Sequence, residues 1–340
     1  MADINKKSIV TGALILTAAG VITRILGFVY RIYMSNVMGA EGMGLYQLIM
    51  PVYSLAWSIS CSGFNTAVSK LTAQERAKGE YGNMGRVLKQ AVLITASLGC
   101  LMSLAVYFCA LPLSVYFFKD LRTLLPLRIL SLAFPFMAAG TCFRGYFIGL
   151  QETFVPAINQ VLEQFVRMVV VYLLAARFVP RGLNYACAAA VIGLVCEEVF
   201  SLLYVLFAYR RFKAKHKLTK RPVFTRRKSL ALLLGMALPL TANRVTGSLL
   251  SAWENVLIPA RLQVFGLSPA EAVSEFGRIT GMASPLIFFP TAVLTALSVT
   301  LVPAVAEAAA TGNAGRRAGT ASKAVLFAAI AGFGAASLFV

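Results

Sequence analysis

Acidic side chains are scarce in this chain. Asp and Glu number 13 among 340 residues, against 32 Lys and Arg, and charged residues together make up 13%. A soluble domain carries about 25%, so the composition excludes a soluble globular protein and predicts an all-α integral membrane protein. Histidine is scarcer still, with the single His216 in a basic stretch. A histidine-built zinc site and a Ser-His-Asp triad are excluded with it. None of the six cysteines stands in a CxxC pair, and nearly all fall in apolar runs, where a thiol packs as a small hydrophobe. No GxxxxGK[ST] loop and no HExxH pair occurs, so neither of those routes to hydrolysis is open. No enzyme activity, cofactor or metal is expected.

Hydrophobicity is abundant instead, at 59% of residues with a mean hydropathy of +0.76. Nine apolar segments are predicted over 8–34, 45–70, 86–110, 122–150, 154–178, 184–209, 229–258, 276–306 and 320–340. About 20 apolar residues suffice to span a bilayer as a helix. The first run is too long for a signal peptide and no small-residue cleavage site follows it. Residues 1–209 form a first lobe of six helices, 210–228 a basic cytoplasmic linker, and 229–340 part of a second lobe, helices 7–9. The linker holds ten basic residues. With the N-terminus inside, the inward-facing segments carry the bulk of the Lys and Arg, Arg144 among them. That asymmetry predicts a cytoplasmic N-terminus in a plasma membrane. It also accounts for the net charge of +19 without a nucleic-acid partner.

A weak internal repeat is visible at a shift of 234 residues, where Pro51 meets Pro285 and Val68 meets Val302. An even number of helices separates the two copies, so they would share orientation about an axis along the membrane normal. The last segment stops without a charged anchor, and a truncation of the second lobe is expected.

Charges inside spans carry the functional reading. Arg24 and Arg31 lie seven residues apart in the first span, nearly on one helical face. A cation at the centre of a membrane helix costs about 2.5–3.5 kcal/mol on insertion scales, so such a residue faces protein or water. Arg31 either snorkels to the nearer interface or joins Arg24 in a polar cavity. Helix 5 presents Asn159, Glu163 and Arg167 at i, i+4, i+8, with Glu163 in the favourable order to pair with Arg167. The pair is either structural or part of a cavity wall. Helix 6 carries Glu197 and Glu198, adjacent and about 100° apart. Helix 7 adds the deep cation Arg244 and, near its outer end, Glu254. Glu197, Glu198 and Glu254 are candidates for coupling to a monovalent cation. Scattered rather than ringed charges argue against a channel.

The run TRILGFVYRIYMSNVMGAEGMGLYQLIMPVYSLAWSISCSGFNTAVSKLTAQERAKGE resembles polysaccharide-biosynthesis membrane proteins of the stage V sporulation protein B type, as does RGYFIGLQETFVPAINQVLEQFVR. These belong to the multidrug/oligosaccharidyl-lipid/polysaccharide exporter superfamily, which includes the lipid II flippase. The resemblance implies about fourteen helices in two six-helix lobes plus a final pair, here truncated to about nine. It implies a central cavity opening alternately to each side and a lipid-linked oligosaccharide cargo, a peptidoglycan precursor above all. Arg24 stands in TRILGF, similar to the flippase's Ser-Arg-x-Leu-Gly-Phe, whose arginine lines the cavity. Arg31 is displaced by one position from the next family arginine. Gly42, with Glu41 beside it, falls where the flippase has an acid. Pro285 falls where it has an arginine, with Arg278 two turns earlier.

The expected function is outward flipping of an undecaprenyl-pyrophosphate-linked cell-wall precursor by alternating access. Arg24, Arg31 and Arg244 would hold the pyrophosphate, since guanidinium forks suit phosphate oxygens. Expected partners are that anionic lipid, membrane lipids and a coupling monovalent cation, with the chain acting as a monomer. The alternatives are a cation-coupled exporter of cationic drugs and a non-transporting scaffold for wall synthesis. The topology has its own test. Cysteine at His216 or Ser229 is expected to resist impermeant thiol reagents in intact cells, and ready labelling from outside would invert the orientation.

Overall fold

The structure, a computed structural model, describes residues 2–216, 223, 225–288 and scattered helical positions between 322 and 337. The described residues are almost wholly helical and contain no strand. In order they form α1 (Ala2–Trp57), α2 (Gly63–Ala77), α3 (Tyr81–Pro112), α4 (Leu124–Ser131), α5 (Phe134–Gly149), α6 (Phe154–Phe178), α7 (Leu183–His216), α8 (Arg226–Val264), α9 (Pro269–Phe276) and α10 (Ser284–Ile287). Leu14–Ala77, Tyr81–Phe117, Leu183–Lys215 and Arg226–Val264 are each long and apolar enough to cross a membrane. A helix is favoured here because it satisfies every backbone donor and acceptor within its own segment.

The first seven predicted segments map onto α1 to α8 in order. A straight α1 would reach about 84 Å, far beyond a hydrocarbon core of about 30 Å. It breaks at Gly39, whose φ of 67° and ψ of −177° are not helical. That left-handed φ favours glycine, and the chain folds back there. Arg31 and Gln47, on either side of the break, consequently line one cavity. The first two segments are therefore the two halves of α1, the second continuing into α2 through a π-helical turn at Ser58–Ser62. The segment at 122–150 is α4 and α5, bent by 45° to each other. The connection expected over 210–228 is shorter, because α7 runs on to His216 and α8 starts at Arg226, capped by the Thr225 hydroxyl. Pro285, the repeat companion of Pro51, stands in the first turn of α10, whereas Val302, the companion of Val68, most of segment 276–306 and most of 320–340 lie outside the described residues. Ser229 is fully buried, so a label there would read packing; the exposed Lys213 and Lys215 on α7 report topology instead.

Two apolar clusters hold the helices together. One gathers Met34, Ile49, Leu127, Phe134, Val191 and Phe276. The other gathers Phe64, Leu71, Met84, Tyr146, Phe147 and Leu233, with Tyr146 and Phe143 both packed edge-on against Tyr209. All six cysteines are free thiols. At α9 a capping box joins Ser268 and Glu271. The hydrogen bond to the Ser268 side chain, then that to its backbone, holds the Glu271 carboxyl below its usual range.

Near Gly39 the second half of α1 meets α9 and the π-helical turn Gly277–Ala283 at backbone distance. A Cβ on Gly44 would stand 2.0 Å from the Val273 carbonyl oxygen, and one on Gly277 would stand 2.1 Å from that of Ala40. The two glycines thus form a seam that closes this end of the bundle. Gly44→Ala is expected to destabilise the protein by about 1–3 kcal/mol through overpacking. Gly85→Ala, where nothing lies within 4 Å, is expected to cost nothing, because alanine is the better helix former. Thermal unfolding in detergent checks both, and equal stability of the two variants would remove the seam.

Candidate functional site

Below the seam lies a cavity of about 590 Å³ between the two halves of α1, α6 and the stretch after α9. The sequence builds its wall from helical periodicity. Arg24 and Arg31 project from successive double turns of the first half of α1, with Gly27 between them leaving room. Gln164 and Arg167 come from adjacent turns of α6, Tyr46 and Gln47 from the second half of α1, and Thr280 and Ser284 from beyond α9. Gln47 Nε2 donates to the Thr280 carbonyl at 3.3 Å across the cavity's edge. Arg24 and Arg31 have no carboxylate partner among the described residues, and none of the lining residues is acidic. Tyr30 and Gln164 also line the cavity; Tyr30 Oη and Gln164 Nε2 are themselves buried and have no partner among the described residues.

Behind the cavity wall, α5, α6 and α7 are joined by buried ion pairs, and here the expected pairing is corrected. Glu163 does not pair with Arg167. It accepts from Arg144 Nη1 on α5, from Asn159 Nδ2 at 2.7 Å and from Ser201 Oγ at 2.6 Å. Arg167 turns to α7, where its Nε and Nη2 grip the two oxygens of Glu197, each at 2.5 Å. The i, i+4 geometry permits a pair along α6, but both groups find better partners across helix interfaces, where burial makes charge-assisted hydrogen bonds stronger. Glu197 and Glu198 face different neighbours, as their 100° offset requires. Glu198 accepts from Tyr53 Oη at 2.6 Å. Three carboxylates and two guanidiniums therefore share one buried layer. Removing a single member of such a pair costs about 3–5 kcal/mol, because its partner is left charged and buried.

Arg244 is separated from Arg24 and Arg31. It lines a second space of about 490 Å³ between α1 and α8, with Tyr53, Trp57, Ser58 and Ser248. Its guanidinium carbon stands 5.6 Å from the centre of the Trp57 ring. The expectation that Arg24, Arg31 and Arg244 serve one cavity is corrected accordingly, and Arg167 is the third guanidinium lining the first cavity. The cause is that α8 crosses α1 at its far end, next to the π-helical turn, where the Ser58 and Ser248 hydroxyls meet at 2.5 Å. Glu254 is exposed on α8, outside both spaces.

Arg144 is the residue that sequence reasoning misplaced. Read as part of a cytoplasmic connection, it sits inside α5, bonded to Glu163, Ser201 and Thr141. A signal was present in the i, i+3 spacing of Thr141 and Arg144 and in Ser201, three and four residues after the two glutamates of α7. Tyr30, Tyr53 and Gln164 were also passed over, since a lone tyrosine or glutamine in a span carries no pattern.

This geometry can be set beside known proteins. Residues 9–309 match the family of polysaccharide biosynthesis proteins. Stage V sporulation protein B of Bacillus subtilis (strain 168) is 34% identical over 305 residues, spanning 89% of this chain and 59% of that relative. The lipid II flippase MurJ of the same organism is 26% identical, spanning 89% of this chain and 58% of that relative. The chain thus spans less than two thirds of the length of these curated relatives. In fold it is similar to a crystal structure of MATE in complex with MaD5, with a TM-score of 0.63 at 15% identity over 96% of this chain and 71% of that one. The helical architecture is accordingly that of MATE-like transporters. With the family matched across most of its length, the chain belongs to the polysaccharide biosynthesis proteins, a family of multi-pass membrane proteins.

Proposed function

We propose that the protein is a flippase for a lipid-linked oligosaccharide, a peptidoglycan precursor above all, working by alternating access and not an enzyme. The observation that carries this reading is the cavity wall. Arg24 and Arg31 stand in a membrane helix with no carboxylate partner among the described residues, beside Arg167, in a space lined by no acid. Cations that deep are stable when something anionic and exchangeable neutralises them. A pyrophosphate linker fits the paired guanidinium forks, while a lipid tail stays in the bilayer and the glycan crosses the wet interior. The lipid II flippase among its relatives supports the same cargo class.

The orientation follows from the Lys and Arg bias. The N-terminus lies in the cytoplasm, the Gly39 end faces outward, and the glycine seam closes the outer side. Coupling to a monovalent cation and a monomeric state remain part of the proposal. The cationic-drug reading fits the fold, but a cavity with three guanidiniums repels its cargo. A scaffold makes the arginines dispensable.

Arg24→Ala is therefore expected to abolish flipping while the protein still inserts. Arg24→Lys is expected to restore part of it, because a point charge replaces a bidentate fork. The measurement is exposure of the lipid-linked precursor on the outer leaflet, alongside protein level in the membrane. Normal exposure with Arg24→Ala would remove the anionic-cargo reading, and improved export of cationic compounds would favour the drug exporter.

A further inference from the structure

Arg167 belongs to two sites at once. Its side chain lines the first cavity beside Arg31. The same guanidinium holds both oxygens of Glu197 through Nε and Nη2. Its Nη1 makes no hydrogen bond among the described residues. Glu197 is almost wholly buried, with 3% of its side chain exposed.

We propose that Arg167 is a ligand of the anion cavity shared with Glu197, so that anion binding and proton uptake by Glu197 are linked. This rests on the reading of the cavity as an anion site and goes beyond it. An anion held by Arg24 and Arg31 meets Nη1 of Arg167 as its third donor. The anion draws the guanidinium's charge away from Glu197. A buried carboxylate that loses its cation is left uncompensated, and the inexpensive remedy is a proton from solvent on one of its oxygens. The balance is simple: one proton enters with the anion and leaves with it, and no covalent bond to the cargo forms or breaks.

Among the described residues, the only cation bonded to Glu197 is Arg167; Arg31 lies beyond it, beside Tyr30 and Tyr46, and is one of the arginines that hold the anion. From α6 Glu197 faces Arg167 and Glu163, from its own helix Glu198, and from α1 the phenols of Tyr30, Tyr46 and Tyr53. From α5, Arg144 is engaged by Glu163. From α4, Arg128 stacks on Tyr107 instead. Carboxylates and phenols only increase the penalty of a bare charge, so protonation is the remaining response. Linkage then runs both ways: the anion favours the protonated carboxyl, and the protonated carboxyl, which no longer competes for Arg167, favours the anion. Anion affinity falls as pH rises.

Sulfate is the probe, a doubly charged anion that does not titrate near neutrality. It is titrated into the purified protein in detergent, in two buffers of different ionisation enthalpy and across the neutral pH range. Calorimetry then reads affinity and protons together. The wild-type protein is expected to take up protons as sulfate binds and to weaken with pH by up to about tenfold per unit for one linked proton. Glu197→Gln, which frees Arg167 while keeping its shape, is expected to bind sulfate about fivefold or more tighter at neutral pH, without proton uptake. A gain of affinity is not a result that misfolding produces. If that variant does not fold, the wild-type proton count still decides. Binding that depends on Arg24 but takes up no protons overturns the linkage and leaves the flippase reading standing. No saturable sulfate binding, or binding that Arg24→Ala leaves unchanged, overturns the anion cavity and this inference with it.

Discussion

Charge buried in a low-dielectric layer must be neutralised by another charge, and the bundle's interior is arranged to meet that demand. Glu163, Glu197 and Glu198 stand opposite Arg144 and Arg167 across the interfaces of α5, α6 and α7. Hydroxyls and amides from Ser201, Asn159 and Tyr53 supply the remaining donors. Apart from the Asn159–Glu163 bond within α6, these bonds join residues of different helices, so the layer holds α5, α6 and α7 in one arrangement relative to one another. Apolar packing alone does this poorly in a membrane, where lipid tails are as apolar as leucine. The cavity lies directly in front of this layer, and Arg167 is common to both.

The demand is met on one side of the wall and left open on the other. Arg24 and Arg31, both exposed, have no carboxylate counterpart among the described residues, whereas Arg144 and Arg167 are paired. This contrast, more than the number of arginines, gives the cavity its character. It also explains why Arg244 plays a separate part. Its charge is spread over the face of Trp57, an aromatic partner worth about 0.5–2 kcal/mol, and it shares no wall with the other two.

Much of the fold was legible because hydropathy and span length are dictated by the bilayer. The first seven apolar runs became helices, Arg24 and Arg31 stood out as charges within a run, and so did the two glutamates of α7. Partner choice was not legible. Spacing along α6 pointed Glu163 at Arg167, but spacing describes one helix, while Arg144 and Glu197 arrive from others. Only the crossing of helices decides between a pair along a helix and a pair across an interface. The same holds for Arg244, whose neighbour is set by where α8 crosses α1. The reversal between 34 and 45 was legible as a gap between two apolar runs, but not that Gly39 is its breaking residue, since one glycine among many carries no mark of its own.

The seam near Gly39 has a bearing on the energy of opening. It is made of glycine Cα atoms against carbonyl oxygens and small side chains, with Gln47 to Thr280 as the hydrogen bond spanning it. The carbonyls involved are already bonded within their own helices. Parting the surfaces leaves almost no polar group to be rehydrated and separates no opposite charges. The work of opening then comes from contact area and dispersion, terms that ionic strength and pH scarcely touch. A contact of this kind is as strong in dilute as in salty surroundings, in contrast to the charged cavity beneath it.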